Sequence, residues 1–427
     1  MKKNIYKFIL FIAFGFILNG CENDITKSLY EEYQGGSLPQ PVLNNIAPVN
    51  SALAGVDAIE LTGENFSTVK ENNLVYFGSA KASVLEASAT RLLVRAPNNP
   101  AETLMVKVAV LGAAMYSEKQ QYKLLPAAQE FAVKTGRKPF AITVDQNENI
   151  YASASENDQG IGVIKIAPDG TTTSFAPSGE TFLAAIKLGP NGNMYALRPN
   201  LRAVFEIQPG VKSAPYFTAL KTGQLSDLDF DKLHYMWIGG RNVGDSLYRV
   251  TLGTKAAKGF AFKGDVRALK IYNDYLYVAA LRDGQEKIFR FPVNESGLGA
   301  EEEYYNFSTK YPERVVTAML ISAAGRIYLG NNAKNPEEAH GKVNGFPILV
   351  VNTDKTESVM FEPMLPDTKF AGPVVSMAWG SGDYFYYTRS KLDKTAPDGT
   401  KSTAHTQEII KVTVRELGAP YYGRGDQ

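Results

Sequence analysis

The 427-residue chain carries 45 Lys and Arg against 44 Asp and Glu, and removing Lys2, Lys3 and Lys7 with a leader leaves 42 against 44. That balance gives no global attraction to nucleic acid or an anionic membrane. One cysteine excludes a disulfide framework, and an aromatic share of 11% with 37 Gly suits an all-β chain longer than one ordinary domain.

In chain order, three lysines precede an 11-residue apolar run from Phe8 to Leu18. The run is too short for a permanent membrane span and right for the core of an export signal. The next residues, Leu18-Asn19-Gly20-Cys21, resemble the lipobox of bacterial lipoproteins. The resemblance implies a signal peptide over residues 1–20, lipid attachment at Cys21 and a membrane partner through that anchor. Residues 21–40 are polar, hold Gly35, Gly36 and Pro39, and read as a tether. Glu22 and Asp24 resemble the acidic signal for display on the outer face of the outer membrane.

Residues 41–125 hold seven short alternating runs, among them Ile59-Glu60-Leu61, Leu74-Val75-Tyr76-Phe77-Gly78 and Leu92-Leu93-Val94-Arg95-Ala96-Pro97. That density of strands predicts a small β-sandwich. The turn Gly63-Glu64-Asn65-Phe66, the strand ending Phe77-Gly78 and the strand ended by Pro97 resemble the IPT/TIG family of immunoglobulin-like domains. The resemblance implies a spacer between anchor and the rest of the chain, or a sugar-contacting module.

From residue 129 to 423 one phrase recurs six times, with aromatics at Tyr151, Tyr195, Trp237, Tyr277, Tyr328 and Tyr386. Each copy follows a second alternating run and a polar turn, the signature of a β-hairpin. The spacings of 44, 42, 40, 51 and 58 residues have room for four strands, with fourth-strand aromatics expected at Phe175, Phe217, Phe260, Tyr305 and Phe361. Pro139-Phe140-Ala141-Ile142-Thr143-Val144-Asp145 with Ile150-Tyr151-Ala152, and Ile164-Lys165-Ile166 with Asp169-Gly170, resemble NHL-type propeller blades. The expected architecture is therefore all-β: an immunoglobulin-like sandwich followed by a six-bladed β-propeller. The sixth repeat lacks a fourth strand, and Gln129–Lys134, with Phe131 in the aromatic position, is expected to pair with Glu408–Val414 and close the ring.

Two chemistries compete for the propeller. Six-bladed propellers also include gluconolactonase-like hydrolases, which the chain would resemble only if oxygen donors such as Glu156, Asn157, Asp158, Asn242, Asp245, Asp283, Asn331 and Asn332 converged on Ca²⁺. Their offsets from the repeated aromatics shift from repeat to repeat, and His234, His340 and His405 show no metal-ligand spacing. No nucleophile elbow or P-loop is present, and Arg424-Gly425-Asp426 is assigned no adhesive role. Long connections after the second strands of repeats five and six, 331–346 and 390–407, mark expected binding loops. Arg198, Arg241, Arg282 and Arg389 recur just past the second strand in four repeats, which predicts a partial ring of guanidinium groups suited to a uronic-acid or sulfated glycan. The expectation is a lipid-anchored surface binder without catalysis or cofactor, an accessory in glycan uptake with an outer-membrane transporter as possible partner and no nucleic acid. Arg198, Arg241, Arg282, Arg389, Asn331 and Asn332 are its ligand residues. A Ca²⁺-dependent hydrolase is the alternative, and a scaffold docking on a transporter the third reading.

Overall fold

A computed structural model describes residues 38–131, 136–177, 183–198, 201–212, 216–220, 223–241, 247–334, 346–360, 373–395 and 400–426. Cys21, His340, Phe361, Asn242 and Asp245 lie outside the described residues.

The first unit is a two-sheet sandwich. One sheet orders Val42–Ala47, Ala58–Glu64, Arg91–Arg95 and Ser83–Ala87, and the other Ser51–Leu53, Gln120–Leu125, Ala101–Val110, Asn73–Phe77 and Ala80–Lys81. Alternation places Ile59, Leu61, Val75, Phe77, Leu92, Val94, Val106 and Val108 in its core. Two of the expected seven runs, at 41–43 and 46–48, form one strand interrupted by a bulge, and three short strands had no sequence signal. The Gly63-to-Phe66 turn has a steric reason. A Cβ on Gly63 would collide with the Val42 carbonyl, and Asn65 adopts φ of 61°.

Six antiparallel sheets make the second unit. Their first strands are Arg137–Val144, Ala185–Leu188, Gln224–Phe230, Asp265–Tyr272, Arg314–Ile321 and Val374–Trp379. These strands pack on one another in order, and the sixth also packs on the first. The repeated aromatic lies in the second strand of every sheet. In the sixth sheet the outermost position is taken by Ala128–Glu130, which pairs with Glu408–Thr413 through Ala128↔Val412, Gln129↔Lys411 and Glu130↔Ile410.

Aromatic pairing inside five of the six sheets fixes the outer strand on the second. Tyr151 meets Phe175 at 4.9 Å, Tyr195 meets Phe217 at 4.9 Å, Trp237 meets Phe260 at 5.5 Å, and Tyr386 meets Phe131 at 5.3 Å. The fourth sheet departs from expectation by one residue: Tyr304, not Tyr305, packs on Tyr277 at 5.3 Å. Side chains alternate across a strand, so Tyr305 faces the other way and its hydroxyl donates to Glu357 of the fifth sheet at 2.5 Å. Between sheets the same aromatics continue the core, as in Tyr195 against Phe230 and Tyr328 against Trp379.

Five of the six first strands carry a bulge about midway, between Pro139 and Ile142, Leu225 and Asp227, Val266 and Ala268, Val316 and Ala318, and Val374 and Ser376. Each bulge re-aims a side chain near one end of the sheets. The 390–407 connection is not structureless, since Leu392–Thr395 pairs there with Lys401–His405.

Candidate ligand-binding site

All first strands run in one sense, so the six sheets share two ends: one where these strands begin, here the mouth, and one where they turn back, here the floor. Six residues occupy the same register position opposite the repeated aromatics: Thr143, Lys187, Asp229, Lys270, Leu320 and Ala378. All six line one small cavity of about 50 Å³, with Ala419, Pro420 and Tyr421 of the C-terminal tail across it. Asp227 and Asp229 each accept a backbone N–H from the fourth sheet's first strand, Leu269 at 3.0 Å and Ile271 at 2.9 Å. Burial pushes the Asp229 carboxyl up, partly offset by Lys270 and Lys187.

The expected arginines meet different surroundings. Arg198, half-buried, lies 4.9 Å from the Phe205 ring. Arg282 does not stand free at the mouth: Nη2 bonds Glu301 at 2.8 Å, Nε donates to the Lys263 carbonyl, and the guanidinium lies on Phe289 at 3.9 Å. Arg389 is 1% exposed inside the sixth sheet, 2.9 Å from Glu408 and 3.8 Å from Glu130. The reason is alternation, since two residues after Tyr387 it falls on the sheet face that packs inward. Asn331 is fully buried, accepting from Arg314 and donating to the Pro347 carbonyl, while Asn332 accepts the Ala333 N–H at 2.8 Å.

Arg241 differs from all of these. It ends the second strand of sheet three opposite Gln224, is half-buried, and among the described residues makes no hydrogen bond or ion pair. Burial and the neighbouring Arg267 hold its pKa below the usual value, against opposing pulls from Asp265 and Glu286. Arg267 sits in the bulge of sheet four's first strand and is anchored to buried Glu286 at 3.1 Å. Burial raises the Glu286 carboxyl, and its Oε2 has no hydrogen-bond partner. The mouth of sheets three and four therefore presents one anchored and one unanchored guanidinium side by side, an arrangement that accepts carboxylate or sulfate oxygens.

Arg267 and the other mouth arginines on first strands, Arg137 and Arg314, escaped the sequence reading, which sought ligands only after second strands. A signal exists. Buried positions run Val266, Ala268 and then Leu269, Ile271, a change of phase that marks the bulge holding Arg267.

Among the described residues, several of the oxygen donors considered for Ca²⁺ are engaged in pairs or turns. Glu156 lies 3.5 Å from Arg137 and Asp158 pairs with Lys138. Asn157, Asp158 and Asp283 have positive φ in tight hairpin turns. Among the described residues no three His, Cys, Asp or Glu side chains group as metal ligands.

Residues 41–124 match the IPT/TIG domain family. No curated protein matches the chain at a significant level. Similar solved structures include an auxiliary nutrient binding protein from Bacteroides thetaiotaomicron, 11% identical with TM-score 0.47, covering 88% of this chain and 97% of that one. Another is a gluconolactonase from Xanthomonas campestris, 9% identical with TM-score 0.46, covering 73% and 90%. A third is virginiamycin B lyase from Staphylococcus aureus, 12% identical with TM-score 0.44, covering 67% and 98%.

Proposed function

We propose that this protein is a surface-displayed, non-enzymatic binder of acidic glycans. In this reading a lipid on Cys21 anchors it in the outer membrane, the IPT/TIG sandwich is the spacer, and a six-bladed ring closed by Ala128–Glu130 carries the ligand at its mouth. It serves a glycan uptake system, handing ligand to an outer-membrane transporter.

The observation that supports this reading is Arg241, a half-buried cation held beside the cation of Arg267 and, among the described residues, in no ion pair. Keeping two guanidinium groups together costs free energy that an incoming carboxylate or sulfate relieves. Glu286 fixes Arg267 in place and neutralises only one of the two charges.

An array of neutral, uronic-acid and sulfated oligosaccharides, probed with wild type and Arg241→Ala at low and physiological salt, tests it. The expected result is a preference for acidic members that falls about tenfold or more in the variant, since a charge-assisted bidentate contact contributes about 1.5–3 kcal/mol. Absence of an acidic preference, or its retention by Arg241→Ala, removes the reading. Turnover of a lactone dependent on Ca²⁺ would replace it with the hydrolase.

A further inference from the structure

Exposed apolar side chains are concentrated on the sandwich. Of the thirteen large ones among the described residues, nine lie in the first unit, although it is the smaller of the two. Four of the nine gather at one place: Leu111, Met115 and Tyr116 on the connection between Ala101–Val110 and Gln120–Leu125, and Leu38, whose N–H donates to the Gly112 carbonyl at 3.1 Å. They are between 48% and 63% exposed. Apolar area left in water costs about 25 cal/mol per Å², so an ordered loop that gathers it at the surface marks a place of contact.

Backbone bonds hold the loop in this attitude. Leu111 donates to the Asn72 carbonyl at 2.9 Å and Ala113 to the Val110 carbonyl at 3.0 Å. Buried Ser117 closes the base, its N–H donating to the Val108 carbonyl at 2.8 Å and its hydroxyl accepting the Val108 N–H at 3.0 Å. The Gln40 amide donates to the Tyr116 carbonyl at 2.6 Å. Gly112, at φ of 92°, lets Leu38 lie against it, since a Cβ there would stand 3.0 Å from Leu38 Cδ1. Residues 111–116 carry no charge. Beside them the Lys107 ammonium lies 4.2 Å from the Tyr116 ring, Tyr76 meets Tyr116 edge-on at 6.4 Å, and exposed Glu118 and Lys119 follow. An apolar tip, then a tyrosine, then a lysine matches the order of acyl chain, interface and headgroup phosphate met on leaving a bilayer.

The path of the chain supplies the occupant. It enters the sandwich at Leu38, bridged to Ala113 of the loop, and leaves it after Gln120–Leu125, a strand that begins at the loop and runs away from it. Sixteen residues, 22–37, separate Cys21 from Leu38, a reach of about 60 Å at full extension. We infer, on the reading that Cys21 carries a lipid, that Leu38, Leu111, Met115 and Tyr116 seat in the interfacial zone of the bilayer holding that lipid. The anchor keeps the loop at a high local concentration beside the bilayer, so four modest side chains suffice for the contact. The sandwich is then a second membrane contact that orients the chain, in addition to a spacer.

The chain from Cys21 onward is coupled through that single thiol to a maleimide lipid, in vesicles of phosphatidylethanolamine and phosphatidylglycerol with brominated acyl chains. This coupling stands in for the natural anchor, so the readout is independent of acylation in the cell, which the intact mass of the exported protein tests separately. Two matched substitutions of exposed tyrosines report contact: Tyr116→Trp on the loop and Tyr216→Trp on the second unit, with buried Trp237 and Trp379 as a common background. The expected result is bromine quenching about threefold or more stronger for the indole at position 116, and its loss when Leu111→Asp is added. Circular dichroism reports that each variant is folded. Equal quenching at the two positions, or quenching that survives Leu111→Asp, overturns the proposal. So does a concentration-dependent dimer of the uncoupled chain that Leu111→Asp abolishes, which assigns the loop to a second copy.

Discussion

The Trp237 indole donates to the Asp231 carboxylate at 2.7 Å, six residues upstream, with both side chains buried. The other Asp231 oxygen accepts the backbone N–H of Leu233 and Tyr235, each at 2.9 Å. One carboxylate thus organises the turn and fixes the repeated aromatic. Asp145 does the same for Tyr151 at 3.1 Å, and Asn191 donates to Tyr195 at 2.8 Å. Asp231→Ala strands three donors, the buried Trp237 indole among them, and is expected to cost about 3 kcal/mol, read as a lower urea midpoint by Trp fluorescence. A midpoint unchanged from wild type would show that the turn holds without its carboxylate.

Glycines in strands have a packing reason here. A Cβ on Gly330 would stand 2.7 Å from Val374 Cγ1 and 2.9 Å from Met377 Sδ, both on the sixth sheet's first strand. Gly239 faces Val266 and Leu269 of the next sheet in the same way. Gly330→Val is expected to force the fifth and sixth sheets apart and cost about 2 kcal/mol, measured by thermal unfolding. A substitution at Gly284, with nothing near it, tests only its positive φ of 75°.

Arg241 and Arg389 are expected to separate binding from stability. Arg241→Ala should leave the urea midpoint within about 0.5 kcal/mol of wild type, because no partner is lost. Arg389→Ala leaves Glu408 and Glu130 without their buried cation and should cost about 3 kcal/mol while the folded fraction keeps its ligand. Parallel binding and unfolding measurements check both, and the reverse pattern would place the ligand at Arg389.

The C-terminal tail touches every sheet. Gly418 bridges Ser322 of the fifth, Arg424 donates to the Trp379 carbonyl of the sixth at 3.1 Å, and the Gln146 amide of the first donates to the Arg424 carbonyl at 2.8 Å. The Tyr421 hydroxyl donates to the Leu188 carbonyl of the second, and Tyr422 packs into the clusters of the third and fourth. Arg424 and Asp426 satisfy each other around Gly425, which removes the triplet from adhesive use. Truncation after Glu416 is expected to cost on the order of 4 kcal/mol, seen as a lower Tm.

Alkaline unfolding follows from the buried phenols. Burial and Asp145 push Tyr151 up to about 12, and burial with Glu148 pushes Tyr384 to about 12. A phenol raised in the folded state holds its proton there longer than in the unfolded chain. Its stabilisation is whole below the ordinary value near 10 and is lost as pH climbs toward 12. Phenolate absorbance is expected to rise in two stages, exposed tyrosines first and a cooperative step with unfolding. A single smooth titration without loss of circular dichroism would contradict it.

Much of the fold was legible because its causes are local. The six aromatics recur because a second-strand aromatic packs either on its own sheet's outer strand or on the next sheet, and period-2 alternation with Asn, Asp and Gly turns identifies hairpins without any knowledge of neighbours. Phe131 could be placed on the same ground, as the aromatic the sixth repeat lacked. The sequence determined these elements, the sandwich turn at Gly63 to Phe66 and the residue types available near the mouth. Only tertiary structure decided which arginine makes no ion pair among the described residues. Arg282 finds Glu301 nineteen positions away, Arg389 turns inward on the register of one strand, and Arg267 reaches the mouth through a one-residue bulge. The meeting of Lys187 and Lys270 in the lining of one cavity is further from local reach, because 83 residues separate the two and only the packing of neighbouring sheets brings them to it.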